Sequence, residues 1–254
     1  MCLITFAYHT HPKYKLILAA NRDEFYRRPS AKADWWEDHP EILGGRDLQA
    51  MGTWMGINKN GRLAAVTNYR DLRNIKENAQ SRGELTTKFL LGDATPEDYV
   101  KEVLKEGGNY NGFNLLVLDQ AMAYVSNYSD QTFDLNFGIY GLSNALLDTP
   151  WPKVEQSKQA LEYVIQKKFV MEDLFEIMQD EQTYPKKNLP DTGLSPEMEK
   201  ALSAMHIRTA DYGTCCTTAL TIDYEGNVHF AEKSFGRDNK AQEVVEYEFT
   251  TESR

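Results

Sequence analysis

The order of predicted elements places this chain in the α+β class, in which antiparallel sheets are covered by helices. Three observations predict this class: short apolar strands are joined by hairpin turns, helices come in pairs, and strands return near the C-terminus. Hairpin connections argue against a doubly wound parallel sheet, because parallel neighbours need a helical crossover. Residues 1–254 contain no repeat, low-complexity tract or linker, and we therefore expect a single domain.

The first third of the chain is strand-rich. Two hairpins are predicted there, the first over residues 3–8 and 15–20 and the second over residues 53–57 and 63–67. The second contains Asn60-Gly61, a pair that readily takes the positive φ values of a tight hairpin turn. Residues 27–47, rich in Trp, Pro and Gly, lie between the hairpins and are predicted to be an ordered loop.

The middle of the chain is mostly helical. Thr95-Pro96-Glu97-Asp98 combines an N-cap residue, a proline at the first helical position and acids in the first turn, which is typical of a helix start. The other predicted helices cover residues 83–91, 151–168, 171–179 and 195–204. Further strands are predicted over residues 113–118, 121–126, 217–222, 228–231 and 244–249, the last of them at a sheet edge.

Composition excludes several classes of function. The chain has 28 basic and 38 acidic residues and a net charge of −10, which disfavours nucleic-acid binding. No apolar run is long enough for stable membrane insertion, and no signal peptide is recognised, so we expect a cytoplasmic protein. Cys2, Cys215 and Cys216 predict neither a disulfide nor a zinc site, and no metal or cofactor is expected. The sequence leaves homo-oligomer formation open.

Cys2 carries the sharpest chemical hypothesis. Removal of Met1, which a small second residue permits, would leave a thiol and a free α-amino group on one residue. The amine has an ordinary pKa of about 7.7–8.0 and the thiol one of about 8.5, so the amine can accept the thiol proton near neutral pH. The alternative interpretation is a small hydrophobic residue that begins a strand, because free cysteine is often buried.

A polar run, Asn21-Arg22-Asp23-Glu24, directly follows the second predicted strand. If the first hairpin forms, this run ends close to Cys2. Burying four polar residues is costly unless they pair with one another or with a ligand. An arginine there can lower the thiol pKa, and a carboxylate can hold the α-amine. The alternative is a solvated strand end with local ion pairs.

Ordered sequence blocks continue along nearly the whole chain: Met1-Cys2-Leu3, Ala20-Asn21-Arg22-Asp23-Glu24, Arg27-Arg28-Pro29, Gly44-Gly45-Arg46-Asp47, Gly52-Thr53-Trp54-Met55-Gly56, Asn68-Tyr69-Arg70, Ser81-Arg82-Gly83-Glu84-Leu85, Gly141-Leu142-Ser143-Asn144-Ala145, Trp151-Pro152-Lys153 and Tyr212-Gly213-Thr214. In these blocks the chain resembles the Asn-Arg-Asp-Glu (NRDE) family, which includes the eukaryotic transport and Golgi organisation 2 proteins. More remotely, it is similar to N-terminal-nucleophile (Ntn) hydrolases of the choloylglycine hydrolase and penicillin V acylase type. This likeness implies a four-layer αββα sandwich of two antiparallel sheets.

The resemblance also implies catalytic residues. The nucleophile maps to Cys2, and its arginine and aspartate partners map to Arg22 and Asp23, with Glu24 as the alternative to Asp23. An oxyanion-hole asparagine maps to Asn68, where a side-chain amide could stabilise charge on a tetrahedral intermediate. A later asparagine maps to Asn144, with Asn127 as the alternative.

The resemblance carries substrate-binding candidates as well. The relatives' late basic residue falls nearest Lys233, which lacks the bidentate fork of arginine. Glu24 is a further candidate, and Trp54 could line an apolar pocket or belong to the core. Cys215 stands where we expect the family to have an arginine.

Two functions compete on this evidence. The first is hydrolysis of a non-peptide C–N (amide) bond in a small molecule, with Cys2 as nucleophile. The second is a non-catalytic carrier or chaperone for an apolar ligand such as haem or acyl-CoA, which resemblance to the eukaryotic proteins suggests. A Golgi-associated interaction protein has the least support, because the sequence shows no anchor or basic amphipathic helix.

Overall fold

The computed structural model describes residues 2–129, 131–237 and 241–252. In chain order its strands are β1 (Cys2–Tyr8), β2 (Tyr14–Phe25), β3 (Ser30–Trp35), β4 (Ile42–Asp47), β5 (Met55–Asn58), β6 (Leu63–Asn68), β7 (Phe113–Leu118), β8 (Met122–Ser126), β9 (Thr132–Asp134), β10 (Gly138–Leu142), β11 (Tyr212–Asp223), β12 (Asn227–Phe235) and β13 (Ala241–Thr250). The helices are α1 (Gly83–Leu91), α2 (Pro96–Glu106), α3 (Pro152–Ile165), α4 (Met171–Ile177) and α5 (Pro196–Ala201).

These strands form two antiparallel sheets. The first has the order β10-β1-β2-β11-β12-β13 and the second the order β3-β4-β5-β6-β7-β8-β9. Helices α3 and α4 pack on the first sheet, whereas α1 and α2 pack on the second. The fold is therefore α+β with helices outside two facing sheets, and the predicted αββα layering is confirmed.

Successive side chains along a strand point alternately into the two cores on either side of the sheet. On β1 and β2 the even-numbered residues, such as Ile4 and Leu18, belong to the core between the two sheets. The odd-numbered residues, such as Leu3 and Ile17, belong to the core under α3 and α4. Successive side chains of a strand point to opposite faces, so each residue number in these strands also assigns a face.

The predicted loop over residues 27–47 is wrong, because β3 and β4 lie within it. The glycines that suggested a loop instead admit close neighbours in the sheet. A Cβ atom on Gly45 would lie 2.2 Å from the Trp54 ring, and one on Gly44 would lie 2.7 Å from the carbonyl oxygen of Met55. A glycine inside a strand often marks such a close approach.

Two further strands, β9 and β10, were not predicted at all. Strand β10 is short and half-buried, and it forms an edge of the first sheet beside β1. The predicted strands elsewhere are present, and β13 lies at the other edge of that sheet, as expected. No helix in the described part of the chain is long and apolar enough to cross a membrane.

Candidate functional site

The first hairpin brings Cys2 next to the polar run Asn21–Glu24, which the structure places inside β2 near its end and not after the strand. In the β1–β2 register Cys2 is opposite Arg22, and on the far side of β2 Arg22 is opposite Cys216. Cys2 is 9% exposed and lies on the face that looks toward the second sheet. The expected proximity of Cys2 and the polar run is thus confirmed, while Met1 lies outside the described residues.

The surroundings of the Cys2 thiol act on its pKa in opposite directions. Burial raises the pKa of this thiol, and the Asp23 carboxylate adds to that effect. The Arg22 guanidinium and a hydrogen bond from the backbone N–H of Asp23 oppose it. The net result is a thiol pKa above its ordinary value. A base that removes the proton is therefore needed for nucleophilic attack near neutral pH.

Alternation divides Asn21-Arg22-Asp23-Glu24 between the two faces of the sheet. Asn21 faces the helices, where its Nδ2 donates to the carbonyl oxygens of Met178 and Met205 at 2.8 and 2.9 Å. Arg22 faces the second sheet beside Cys2. Asn21 therefore anchors the segments behind the sheet, and Arg22 is the member of the run that shares a face with the thiol.

Arg22 lies over an indole ring. Its guanidinium lies 4.1 Å from the centre of the Trp54 ring, and its Nη1 donates to Ser30 Oγ at 3.2 Å. Only 5% of Arg22 is exposed. Stacking on an aromatic face and a hydrogen bond fix the guanidinium next to Cys2. Trp54, predicted as a substrate-binding residue, holds this arginine and also lines the chamber described below.

Asp23 and Glu24 occupy different surroundings. Asp23 is 1% exposed; its Oδ1 accepts a hydrogen bond from Thr214 Oγ1 at 2.7 Å. Burial raises the Asp23 pKa, an effect that the nearby Lys153 ammonium opposes. Glu24 is half-buried at the rim and pairs with Arg28 at 3.8 Å. Asp23 is thus the buried carboxylate next to Cys2, and Glu24 is the more exposed of the two.

Cys2 opens into a polar cavity of about 320 Å³, which we call the chamber. Its walls carry the guanidinium groups of Arg22, Arg28 and Arg82 and the carboxylates of Glu24 and Asp47. Arg28 is tied to Asp47 by hydrogen bonds of 3.0 and 2.6 Å from its Nε and Nη2. A cavity with several fixed charged donors is suited to orient a polar ligand.

A second cavity of about 370 Å³ adjoins the chamber, and we call it the annex. The two share four lining residues, Glu24, Asn68, Arg82 and Asn111. Beyond that junction the annex is mainly apolar, lined by Phe25, Leu72, Ile75, Leu194, Met198 and Leu202. Chamber and annex are therefore neighbours, and we call the pair the cleft, with a polar part at Cys2 and an apolar part beyond the shared residues.

Asn68 lies at the junction of chamber and annex, at the end of β6. Its carbonyl oxygen accepts a hydrogen bond from Asn144 Nδ2 at 2.9 Å. Asn144 is 1% exposed, and its own carbonyl oxygen accepts from the backbone N–H of Arg70. Asn144 therefore fixes the backbone of Asn68, and the Asn68 side chain is the one that lines the cleft.

The other asparagine candidate is placed elsewhere. Asn127 Oδ1 accepts from the backbone N–H of Phe113 at 2.8 Å, and its Nδ2 donates to the carbonyl oxygen of Gly107 at 3.0 Å. Neither cavity includes Asn127 among its lining residues. It clamps the turn after α2 to β7, so of the two alternatives Asn144 is the one near the cleft.

The structure does not bring Lys233 to the cleft, contrary to the prediction. Lys233 lies on β12 with its side chain on the helix side of the first sheet, where Nζ donates to Glu172 Oε1 at 2.6 Å. The ammonium also lies 4.6 Å from the centre of the Phe175 ring. Successive side chains of a strand point to opposite faces, and the position of Lys233 in β12 places its side chain on the face opposite Cys2. A match between sequence motifs does not show which face a residue occupies.

The two late cysteines lie on the far side of the Arg22–Trp54 contact. Cys215 is half-buried at a bulge of β11, with its sulfur 3.7 Å from the carbonyl oxygen of Glu24. Cys216 is buried, and its thiol hydrogen-bonds with the Glu232 carboxylate. Burial raises the pKa of both thiols. Neither cysteine is among the lining residues of the chamber or the annex, so both are poorly placed to compete with Cys2 for a ligand there.

Three cationic residues whose charges act on Cys2 or Asp23 received no role from the sequence: Arg82, Arg70 and Lys153. Arg82 precedes α1, donates from Nη1 to the carbonyl oxygen of Gly112 at 3.0 Å and lines both cavities. Arg70 is buried and pairs with Glu199 at 3.0 Å. All three occur within the matching sequence blocks, which was the available signal, but they are far from Cys2 along the chain.

Among the described residues, no group of three His, Cys, Asp or Glu side chains is arranged to hold a metal ion. The site's chemistry is instead that of one thiol beside fixed cations, a buried carboxylate and an asparagine amide. Such a set of groups can supply a nucleophile and stabilise an oxyanion.

The sandwich belongs to a known class of fold. Its 254 residues align over their whole length with 98% of a conjugated bile acid hydrolase from Clostridium perfringens, solved as the C2A mutant, with a TM-score of 0.50. The two sequences are 12% identical, so this likeness concerns the fold alone. The class is thus the two-sheet α+β sandwich of that hydrolase.

The chain belongs to the Transport and Golgi organisation 2 family, whose model matches residues 1–237. It is 40% identical to the Homo sapiens homologue and 39% identical to the Mus musculus homologue, in each case over the whole of both chains. The Drosophila melanogaster protein is 26% identical over 92% of each chain. These relatives are named for Golgi transport, and the resemblance found in the sequence blocks is confirmed at the level of this family.

Proposed function

We propose that this protein hydrolyses a non-peptide amide bond in a small amphipathic molecule, with Cys2 as the nucleophile after removal of Met1. One observation carries the proposal: Cys2 shares a face with Arg22, lies against Asp23 and opens into the polar end of a two-part cleft. The annex offers room for an apolar substrate group, and the chamber offers charged partners for a polar one. The cytoplasm is the proposed location.

The proposed reaction begins with transfer of the thiol proton to the α-amine of Cys2. The thiolate sulfur then attacks the amide carbonyl carbon, and the carbonyl oxygen takes up the negative charge. Asn68 stabilises this oxyanion through its side-chain amide. Collapse of the tetrahedral intermediate breaks the C–N bond, and the α-ammonium gives its proton to the leaving amine. This leaves a thioester on Cys2.

Water completes the cycle. The α-amine, again neutral, accepts a proton from the attacking water, and hydroxide adds to the thioester carbonyl. The C–S bond breaks, releasing a carboxylic acid and restoring the thiol. Nucleophile and base thus reside on one residue, as the sequence interpretation required, and no separate histidine takes part.

The first prediction concerns Cys2→Ala. Alanine is small enough for Met1 removal to continue, so the variant keeps the α-amine and loses only the sulfur. We expect it to lose turnover of every amide that the wild type cleaves, because no thioester can form. Release of amine from a panel of fatty, aromatic and amino-acid amides is the measurement, with intact mass reporting the state of residue 1.

Cys215→Ala is the matched control, because it removes a half-buried thiol on the other side of the Arg22–Trp54 contact. It should keep wild-type turnover. Two outcomes would contradict the proposal: mature protein that retains Met1, or Cys2→Ala that hydrolyses an amide as fast as the wild type. A quenched reaction should also show the acyl mass on the Cys2 peptide and on no other.

A non-catalytic carrier is the second candidate, favoured by the annex. Phe25, Leu72, Ile75 and Met198 are 46%, 43%, 58% and 38% exposed at its walls, which is unusual for large apolar side chains. A carrier of haem or acyl-CoA would bind such a ligand equally well with alanine at position 2. Saturable binding by Cys2→Ala, together with no amide turnover by the wild type, would favour this function.

A further inference from the structure

We propose that a third cavity, across the Arg22–Trp54 contact from Cys2, binds a small molecule that carries a carboxylate, with the Arg22 guanidinium as the group that holds the anion. We call this cavity of about 490 Å³ the outer pocket. Its walls include Arg22, Ser30, Lys32, Trp54, Ser234 and Glu243. Cys2 does not line it, so the proposal goes beyond the hydrolysis proposed above and does not depend on it.

The register of the first sheet places the outer pocket beside the chamber. On β2, Arg22 is opposite Cys2 of β1 on one side and opposite Cys216 of β11 on the other, and Cys216 is in turn opposite Ser234 of β12. The four residues thus form one row across the sheet. The chamber and the outer pocket share three lining residues, Arg22, Arg28 and Trp54. Arg22 therefore borders both cavities, with the outer pocket on the side away from Cys2.

The Arg22 guanidinium reaches the outer pocket without a counter-ion from the described residues. Its Nη1 donates to Ser30 Oγ at 3.2 Å, and Ser30 lines the outer pocket but not the chamber. A guanidinium has five N–H donors, yet this is its only hydrogen bond within the described part of the chain, where it also forms no ion pair. Arg22 is nevertheless only 5% exposed. A buried charge without a partner is costly, so a bound anion would stabilise it.

The acidic residues of the outer pocket are engaged elsewhere. Glu232 is 1% exposed, and its Oε1 accepts a hydrogen bond from the backbone N–H of Ala33 at 2.8 Å. Burial raises the pKa of the Glu232 carboxyl, which favours its neutral form. The Glu243 carboxylate pairs with Lys32. Neither acid therefore neutralises Arg22, and the pocket keeps a positive charge for an anion.

A single unpaired guanidinium suits a planar anion of one charge. Its fork of donors matches the two oxygens of a carboxylate through parallel N–H···O bonds. A phosphate carries more charge and calls for a second fixed cation. The other cations of the outer pocket are paired with acids or exposed: Arg28, Lys32 and Arg237. The rings of Trp54 and Phe235 in the same walls offer apolar surface to the rest of the ligand, so an aromatic acid fits.

The test uses para-fluorobenzoate as the probe, with its fluorine NMR line recorded in the presence of the full-length protein. We expect a saturable shift with a Kd of about 1 mM, which is typical of so small a ligand. Arg22→Gln should weaken binding by at least about tenfold, because the charged fork is lost. Cys2→Ala should bind the probe as the wild type does.

Because Arg22 borders two cavities, a matched pair of filling variants locates the probe. Ser234 lines the outer pocket and not the chamber, whereas Ala79 lines the chamber and not the outer pocket. Both residues are half-buried, so a large side chain at either position can extend into the cavity. We expect Ser234→Trp to lose saturable binding and Ala79→Trp to keep the wild-type Kd.

A second readout needs no variant. Cys215 is half-buried and lines the outer pocket, and Cys2 lines the chamber. Saturating para-fluorobenzoate should slow the alkylation of Cys215 by N-ethylmaleimide and leave the rate at Cys2 unchanged. Mass spectrometry of the two peptides measures both rates in one sample. An unchanged rate at Cys215 would overturn the proposal even if none of the variants folds.

Three other results would also contradict the proposal. The first is a wild-type protein that gives no saturable shift, and the second is a folded Ser234→Trp variant that binds as tightly as the wild type. The third is displacement of the probe by inorganic phosphate at a lower concentration than by unlabelled benzoate, which would exclude a carboxylate as the preferred anion. None of these measurements follows amide turnover, so failure of the proposed hydrolysis and failure of this site can be told apart.

Discussion

The four residues of the polar run near the end of β2 have different surroundings, because successive side chains of a strand point to opposite faces. Asn21 and Asp23 face the helices, where Asn21 donates to two carbonyl oxygens and Asp23 accepts a hydrogen bond from Thr214. Arg22 lies on the thiol's face, and Glu24 lies at the rim with Arg28. The same alternation excludes Lys233 from the cleft. At the scale of single residues, position along a strand decides which groups can act together.

Asn68 and Asn127 provide a paired prediction at this scale. Asn68→Ala should lower kcat by about 10²-fold, because an oxyanion donor is lost. Its stability should stay close to the wild-type value, since the backbone carbonyl that Asn144 holds is unchanged. Asn127→Ala should instead destabilise the fold by about 2 kcal/mol, because it leaves the backbone N–H of Phe113 unpaired and removes one of the hydrogen bonds to the Gly107 carbonyl oxygen. It should keep its kcat.

Amide turnover and urea unfolding of both variants check this prediction. The reverse pattern, with turnover lost in Asn127→Ala and kept in Asn68→Ala, would show that the asparagines were assigned to the wrong tasks.

The start of helix α1 packs closely on the turn before β5, where Gly83 and Gly52 lie in contact. A Cβ atom on Gly52 would lie 2.6 Å from the carbonyl carbon of Gly83 and 2.7 Å from its oxygen. This contact places the start of α1, and with it Ser81 and Arg82, at the wall of the chamber. At the scale of elements, the shape of the cleft therefore depends on a close backbone approach and not on a side-chain contact.

Gly52→Ala should therefore destabilise the protein by about 2 kcal/mol, because backbone atoms cannot move aside as a flexible side chain does. Gly108→Ala is the control: a Cβ atom there meets nothing within 4 Å, and its stability should change by less than about 0.5 kcal/mol. The urea concentrations at the unfolding midpoints of the two variants check this prediction. Equal midpoints would mean that α1 can move away from residue 52 without loss of stability.

Over the whole molecule, the two sheets enclose an apolar core while charged groups gather at one end of the sandwich. Arg62 shows that the protein buries charge elsewhere too: it is fully buried and donates to the carbonyl oxygens of Phe89 and Ala94 at 3.1 and 2.8 Å. Lys153, in the first turn of α3, differs from Arg62 in that its pKa lies closer to neutral pH. Burial lowers the pKa of Lys153 from 10.5 to about 8.

This shift predicts how global stability depends on pH. Below pH 8 Lys153 is protonated in both the folded and the unfolded chain. Between pH 8 and 10.5 the unfolded chain binds more protons, so the free energy of unfolding rises with pH, by about 3 kcal/mol in total. Lys153→Gln and Lys153→Arg lack this gain, the first because it has no charge and the second because arginine stays charged.

Urea unfolding at pH 7 and pH 10 gives the change in the free energy of unfolding for the wild type and for both variants. Tyrosines that titrate in the same pH range contribute equally to all three proteins, so their effect cancels when the proteins are compared. A wild type that gains nothing over Lys153→Arg between these pH values would show that the lysine is not buried as a charged group.

The sequence by itself determined the hairpins, the α+β class, the helix starts and, through its ordered blocks, the family and the residues Cys2, Arg22, Asp23, Asn68 and Asn144 as candidates. These features are local, or are carried by consecutive residues, so periodicity and motifs report them. Only the tertiary structure decided that β3 and β4 are strands, that Lys233 faces away, that Arg82 lines the chamber with Cys2, and that Lys153 is buried in α3. The reason is physical: periodicity fixes which face of an element is buried, but which distant element meets that face depends on how layers pack.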